Sequence, residues 1–279
     1  MSIMSTMSRH GRQKIQHLLE SVPPGYLVDS VWLKAQGIGR RSAHAYAQGG
    51  WLEHLAHGLY RRPVPTGSDS DRLDWQTCVL SMQHIMAYQL HVGGMTSLRL
   101  QGFGHFVATG GPEAVLLYGE KMPGWLSRIP VDAAIETRKT SLFSDSQLGL
   151  VEDAFSPRPA WGWRLRISGP ERAILEALDE LPEQESFEHL DQVFESLGTL
   201  RPKLLAQLLH DCTKIKVRRL FFVFADRHGH AWRRQLSSDA FDLGRGDRVF
   251  VKGGRIHPRY RIMVPEAFAK PSPETGHDG

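Results

Sequence analysis

Hydrophobic positions recur along this chain at helical and at strand spacing, and the switches between the two divide it into elements. Ile15, Leu18, Leu19 and Val22 share one helical face, so a helix is expected over residues 8–21, stopped by Pro23, Pro24 and Gly25. A second helix is expected over residues 28–36, with Val31, Trp32 and Ala35 inward and Gly37 just past its end. Gly39 opens a third over residues 40–48, RRSAHAYAQ, closed by Gly49 and Gly50. Two short apolar runs, 52–55 and 59–62, then flank Ala56-His57-Gly58, a hairpin turn with glycine where a positive φ is needed. Short helices followed by a hairpin are the outline of a winged helix-turn-helix, which lays one helix in a DNA major groove.

The third helix is poor in large apolar residues. Ala43 and Ala47 facing the bundle would leave Arg40, Arg41, Ser42, His44, Tyr46 and Gln48 outward. Arginine can bond guanine through two N–H groups and glutamine can bond adenine, while serine, tyrosine and a second arginine can hold phosphates. The hairpin adds His57 and is expected to carry Arg61 and Arg62 to the duplex backbone. Any three-helix bundle with a hairpin gives a similar outline; helix lengths, turn glycines and arginine placement together favour DNA.

Residues 63–71, PVPTGSDSD, read as a linker. Beyond it Trp75, Val79, Met82 and Met86 make a helical stripe ending near His91, and residues 114–118 make a buried strand. Gly102-Phe103-Gly104-His105 resembles part of a nucleotide loop but lacks both Gly-Lys-Ser/Thr and a full GxGxxG, so packing is expected there. Short strands are expected within 135–142 and 161–167, then three amphipathic helices. The first has Ser168 as N-cap and Glu171 three residues on; the second starts at Ser186 and the third at Pro202. Residues 216–227 fit a strand by composition and a helix by spacing. Strands are expected at 248–251 and 260–264 around Gly253-Gly254. The expected class is α+β: a winged helix-turn-helix over 1–65, a larger mixed domain over 72–266 and a disordered tail over 267–279.

Composition narrows the function. At 279 residues and 41% hydrophobic content a sizeable core is available. Cys78 and Cys212 alone cannot make a disulfide framework or a zinc site. No apolar run is long enough to span a bilayer and the N-terminus has no signal-peptide pattern, so a cytoplasmic location is expected. Charge is unevenly placed. Residues 1–65 carry a surplus of +5, 66–213 a deficit of −8, and 214–261 a surplus of +9. Two basic blocks point to an anionic partner. In the second block Lys214, Lys216, Arg218, Arg219, Lys252 and Arg255 are candidates for a second basic surface, with solvated charged faces as the plainer alternative.

No HExxH, GxSxG or cysteine–histidine pattern marks a catalytic site. The acids at Glu176, Asp179, Glu180, Glu183 and Glu185 are expected at solvated helix surfaces. No catalytic residue, cofactor or metal is therefore assigned, and a non-enzyme is expected.

Three further motifs make the chain resemble a known family. They are GWLEHLAHGLYRRP at 50–63; HVGGMTSLRLQGFGHF at 91–106 with SGPERAILEALDELP at 168–182; and LRPKLLAQLLHDCTKIKVRRLFFVFADRHGHAW at 200–232 with DLGRGDRVFVKGGRIHPRYRIMVP at 242–265. The chain resembles the AbiEi antitoxin-type transcriptional regulators of bacterial type IV toxin–antitoxin, or abortive infection, systems. The resemblance implies repression of the protein's own operon through inverted repeats in the promoter. It also implies antagonism, direct or indirect, of a co-encoded nucleotidyltransferase-like toxin. A second reading is a nucleic-acid-directed nuclease or nucleotidyltransferase targeted by its winged helix, which would require convergent carboxylates and a bound metal.

Overall fold

The computed structural model of the protein describes residues 9–65, 73–103, 114–153 and 162–269. Most of the expected linker, the Gly104-His105 half of the glycine loop and the tail from residue 270 lie outside the described residues. In chain order the elements are α1 (Arg9–Ser21), β1 (Leu27–Asp29), α2 (Ser30–Ala35), α3 (Arg40–Gln48), β2 (Glu53–Ala56), β3 (Leu59–Arg61), α4 (Trp75–Leu80), β4 (Leu90–Val92), α5 (Gly94–Leu100) and β5 (Val115–Gly119). They continue with β6 (Ile135–Arg138), β7 (Leu150–Glu152), β8 (Arg166–Ser168), α6 (Pro170–Asp179), α7 (Phe187–Ser196), α8 (Pro202–Asp211), α9 (Ile215–His228), β9 (Arg255–Ile256), β10 (Met263–Val264) and α10 (Glu266–Ala269). The class is α+β. Two compact units are present: the first takes residues 1–91, 110–138 and 152–166, and the second takes 92–109, 139–151 and 167–279.

In the first unit α1, α2 and α3 lie with a three-stranded antiparallel sheet of order β1-β3-β2. The start of the second helix differs from the sequence expectation. Residues 27–29 form β1, whose Val28 pairs with Tyr60 of β3. Leu27 and Val28 are fully buried there, which suits a strand and not a helix entry. Asp29 ends the strand and caps the helix, its side chain accepting from Trp32 N at 2.8 Å. The later start also changes the inner face: Leu33 is buried, whereas Val31 is 70% exposed. Gly58 turns the β2–β3 hairpin with φ +76°.

The helix from Trp75 ends sooner than its stripe predicts. Its last turn, Ser81–Ile85, is π-helical, and Ala87 then takes a positive φ before β4. Ser81 turns its hydroxyl both ways: it accepts from Leu27 N at 3.0 Å and donates to Thr77 O at 2.6 Å. Strands β5 and β6 pair in parallel.

In the second unit α6, α7, α8 and α9 supply most of the core. Residues 215–228, ambiguous in sequence, are helical, because Leu220, Phe221, Phe222, Val223 and Phe224 are all buried: a helix packed around its circumference reads as a strand by composition. Gly229, at φ +59°, stops it. Phe187, Phe194, Phe224 and Phe268 form an aromatic cluster with ring centroids 4.9–5.9 Å apart along its contacts. Ser186 caps α7 as its position predicts, accepting from His189 N.

Three expectations change here. The N-cap of α6 is Gly169; Ser168 belongs to β8 and its hydroxyl donates to Glu176 Oε2 at 2.7 Å. Residues 248–251 do not form a strand, because Arg248 makes only an isolated bridge with Ile262 and the strand pair is β9–β10. The acids of α6 are not uniformly solvated either. Glu176 is 1% exposed and also accepts from Gly94 N and from Arg172, itself fully buried, whose guanidinium donates to Ser146 O and Leu148 O and lies over Phe143. Glu171 is buried against Arg201. Burial raises its pKa, but the hydrogen bonds and charge of Arg201 outweigh that and hold it below the ordinary carboxylate range.

Candidate nucleic-acid interface

Helix α3 has an uncapped N-terminus, since Gly39 offers no side chain to its first-turn N–H groups. Such groups attract anions. At about 100° per residue, Arg40, His44, Gln48, Arg41 and Ala45 fall on one continuous arc, and all five are exposed. Ala43 and Tyr46 lie opposite and are buried, with Ser42 and Ala47 half-buried at the borders. Burial and helical period therefore select the same face. Arg40, Arg41, His44 and Gln48 have no internal side-chain partner among the described residues, so their polar groups stand ready for a ligand.

Ala45 has no polar group and went unnoticed in the sequence for that reason. Its exposed position at one edge of the arc, between Arg41 and the half-buried Ser42, leaves a flat spot beside the long side chains, the kind of surface that contacts a thymine methyl. Its helical angle is the signal that could have found it.

Other expected contact residues have internal positions. Tyr46 is 5% exposed, and its hydroxyl, raised in pKa by burial, donates to Gly11 O at 3.5 Å. Arg61, in β3, pairs with Glu53 at 2.6 Å and is 8% exposed. Arg62 donates to Leu19 O and Val22 O, satisfying carbonyls at the end of α1. These contacts revise the phosphate roles expected of Arg61 and Arg62: Arg61 ties the two strands of the hairpin together, and Arg62 holds the hairpin against the end of α1. His57 remains exposed at the hairpin tip.

A buried carboxylate braces the entry to α2. Asp29, 2% exposed, accepts from Trp32 N through Oδ1, and through Oδ2 from the Tyr88 hydroxyl at 2.6 Å and Trp125 Nε1 at 3.3 Å. Burial first, then the hydrogen bond to Asp29 and its charge, push the Tyr88 hydroxyl well above the ordinary phenol range. The entry to α2 is thus braced by residues 59 and 96 positions downstream.

The second basic block divides into inner and outer members. Lys214 pairs with Asp179 at 2.6 Å, and Lys216 donates to Asp179 O and Leu181 O. Arg219 is 2% exposed and donates to Leu243 O, Gly246 O and Arg261 O. Arg218 is half-buried; Arg255 is exposed and pairs with Glu266 at 3.0 Å. Of the six residues, Lys252 alone is exposed without a side-chain partner among the described residues, and it shares its loop with the exposed Arg245 and Arg248. Among the described residues no group of three or more histidine, cysteine, aspartate or glutamate side chains is placed to hold a metal ion. No helix of the described residues is long and apolar enough to cross a membrane.

Two family models match the chain in tandem. Residues 11–109 match the N-terminal domain of the AbiEi antitoxin transcriptional regulators, and residues 112–265 match the transcriptional regulator, AbiEi antitoxin, type IV toxin–antitoxin system. The crystal structure of the RV2827C protein from Mycobacterium tuberculosis superposes with a TM-score of 0.52 at 14% identity, covering 92% of each chain. At that identity the likeness concerns the fold alone. No curated protein matches.

Proposed function

Because this chain belongs to the AbiEi family of antitoxin transcriptional regulators of type IV toxin–antitoxin systems, we propose that it represses its own operon by reading inverted repeats in the promoter through α3. The observation that carries this reading is the exposed arc of Arg40, Arg41, His44, Ala45 and Gln48, whose polar side chains have no internal partner while the opposite side of the helix is locked in the core. Arg40 and Arg41 sit in the first turn, where the orphan N–H groups add their own attraction for phosphate. Ser42 at the border and His57 on the hairpin are assigned backbone contacts beside the base-reading arc.

The reading role belongs to residues 1–65, and residues 72–266 carry the antitoxin role, antagonising a co-encoded nucleotidyltransferase-like toxin. No enzymatic step is assigned to the chain. A cytoplasmic location follows from a partner that is promoter DNA.

A mobility shift with the DNA upstream of the chain's own gene tests the repressor reading. Replacing Arg40 and Arg41 by alanine should weaken specific binding by roughly 2–6 kcal/mol, about 1–3 for each good base contact. Equal binding to unrelated DNA by the parent protein would refute it. Growth rescue on co-expression with the neighbouring toxin tests the second role separately, and the arginine variants should retain it.

A further inference from the structure

Beside α2 the first unit holds a cleft of about 280 Å³, lined by His17 and Ser21 of α1, Trp32 and Gln36 at α2, and His84 and Ile85 of the π-helical turn. Small-molecule sites begin at about 300 Å³, so the space suits a compact ligand. All of these residues belong to the same compact unit, and each wall is fastened. Lys14 Nζ donates to Gly37 O, and His17 Nε2 donates to Gln36 Oε1 at 3.0 Å, which ties α1 to the end of α2. The third wall is pinned from inside. The buried Gln83 amide donates to Leu90 O and Arg166 O and accepts from Arg166 N, while Ser81 accepts from Leu27 N.

His84 is the residue of this wall that packing leaves unexplained. It is exposed, yet two contacts fix it: the ring lies on Trp163 at 5.1 Å with 7° between planes, and Nε2 donates to Arg164 O at 2.7 Å. Trp163 is itself held edge-on by Tyr26 at 5.5 Å. Side-chain entropy opposes such ordering, and an exposed imidazole buries little surface in return. The turn that carries it is π-helical, a form that recurs at functional sites. The chain leaves that turn through Ala87 at φ +56°, a left-handed conformation that a Cβ disfavours.

The lining offers aromatic faces and hydrogen-bonding edges but no charge: Lys, Arg, Asp and Glu are all missing from it. In both imidazoles Nε2 is spent on an oxygen, so Nδ1 keeps its lone pair as an acceptor in the neutral ring. The Gln36 amide N–H groups and the Trp32 indole N–H bond no other group among the described residues, and both are donors. Acceptors beside donors, next to rings that can stack, match a flat heterocycle that carries neighbouring donors and acceptors of its own. An anion would give up its hydration here without meeting a fixed cation, which disfavours phosphates and carboxylates.

We propose that this cleft is a binding site for a neutral purine, as free base or nucleoside, stacked against His84 and hydrogen-bonded to His84 Nδ1 and the Gln36 amide. Gln36 is the C-cap residue of α2, which places the site beside the turn into α3.

The test is isothermal titration calorimetry on the full chain with adenosine, guanosine and AMP. No DNA is present, so the result stands apart from the promoter-reading role of α3. At least one nucleoside should bind, one per chain, with a Kd below about 1 mM, and AMP should bind no tighter than adenosine. Gln36→Glu keeps an oxygen for His17 but loses the N–H donors. His84→Phe keeps a ring on Trp163 but loses both nitrogens. Each should weaken nucleoside binding about fivefold to tenfold. The absence of saturable heat with either nucleoside overturns the proposal. Binding that both variants leave unchanged lies elsewhere on the protein and overturns it as well. AMP bound more than about tenfold tighter than adenosine marks an anion site and overturns the assignment of a neutral ligand.

Discussion

Replacing Tyr88 by phenylalanine removes one hydroxyl, and the structure sets the size of the effect. That hydroxyl donates to Oδ2 of a carboxylate that is 2% exposed, at 2.6 Å, with Trp125 Nε1 as the second donor to the same oxygen. Hydrogen bonds to charged groups contribute about 1.5–3 kcal/mol, and water has little access to replace this one, so Tyr88→Phe should destabilise the unit by that amount. Asp29→Asn separates two roles of the carboxylate. Asparagine still caps α2 through Oδ1, but its Nδ2 cannot accept from Tyr88 or Trp125, so the loss should be similar to that of Tyr88→Phe. Asp29→Ala loses the cap as well and should cost about 1 kcal/mol more. Urea unfolding followed by tryptophan fluorescence measures all three, since Trp32 and Trp125 both neighbour the site. The double variant Asp29→Asn with Tyr88→Phe should cost clearly less than the sum of its parts. A Tyr88→Phe protein within about 0.5 kcal/mol of the parent, the range of an ordinary surface change, or full additivity in the double variant, would refute the bracing role.

Arg172→Ala would strand Glu176 in the core without its ion-pair partner; a loss of about 3–5 kcal/mol is expected in the same unfolding assay. His257 is buried and its pKa is lowered, burial outweighing the opposing charge of Asp226. The folded state therefore binds the proton less readily than the unfolded chain. Stability should be full above the ordinary histidine value of 6.5 and decline as pH falls below it, and His257→Asn should flatten that part of the pH profile. Glu171, held low by Arg201, should contribute stability above the ordinary value of 4.5 that is lost as pH falls through its lowered value, and Arg201→Ala should shift that loss to higher pH. Burial, with Asp74 adding at the first, pushes the Cys78 thiol up to about 12 and the Cys212 thiol up to about 11, so native protein at pH 8 should resist iodoacetamide while unfolded protein reacts at both sites.

Helix α3 was legible because its bounds are set by glycines and its composition is polar: residues 40–48 are helical, and Arg40, Arg41, His44 and Gln48 face outward. The amphipathic helices after residue 170 were legible by their period, down to Ser186 as a cap. What could not be read is where charged side chains go once the chain is folded. Arg61 and Arg62 look like a basic wing tip in sequence, yet Glu53 and the carbonyls at the end of α1 take them inward. Glu176 looks like one more surface acid, and its partners Ser168 and Gly94 become neighbours only through tertiary folding. The KVRR segment at 216–219 shows only as charge, whereas Arg219 is a buried fastening and the exposed cations stand about thirty residues away, at Arg245 and Arg248. Asp29 signals a cap by its type and place, but nothing local announces Tyr88 or Trp125. Local pattern fixes helices; the partners of buried charges are a property of the whole fold.

The unit that holds α3 is discontinuous in sequence, built from residues 1–91, 110–138 and 152–166. On the ribosome this imposes an order of events. The helix itself leaves the exit tunnel early, but the strand and loop residues that complete its unit are not all made until Arg166. At a synthesis rate of about 5–20 residues per second, roughly 5–20 s separate the wing from the last of them. A product cut short by a premature stop in that interval would carry the arginines of α3 without the Trp125 donor that braces Asp29, or without the last residues of the unit. Competence to bind should therefore appear as a step late in translation, and gene fragments ending at the linker should accumulate as protease-sensitive chains.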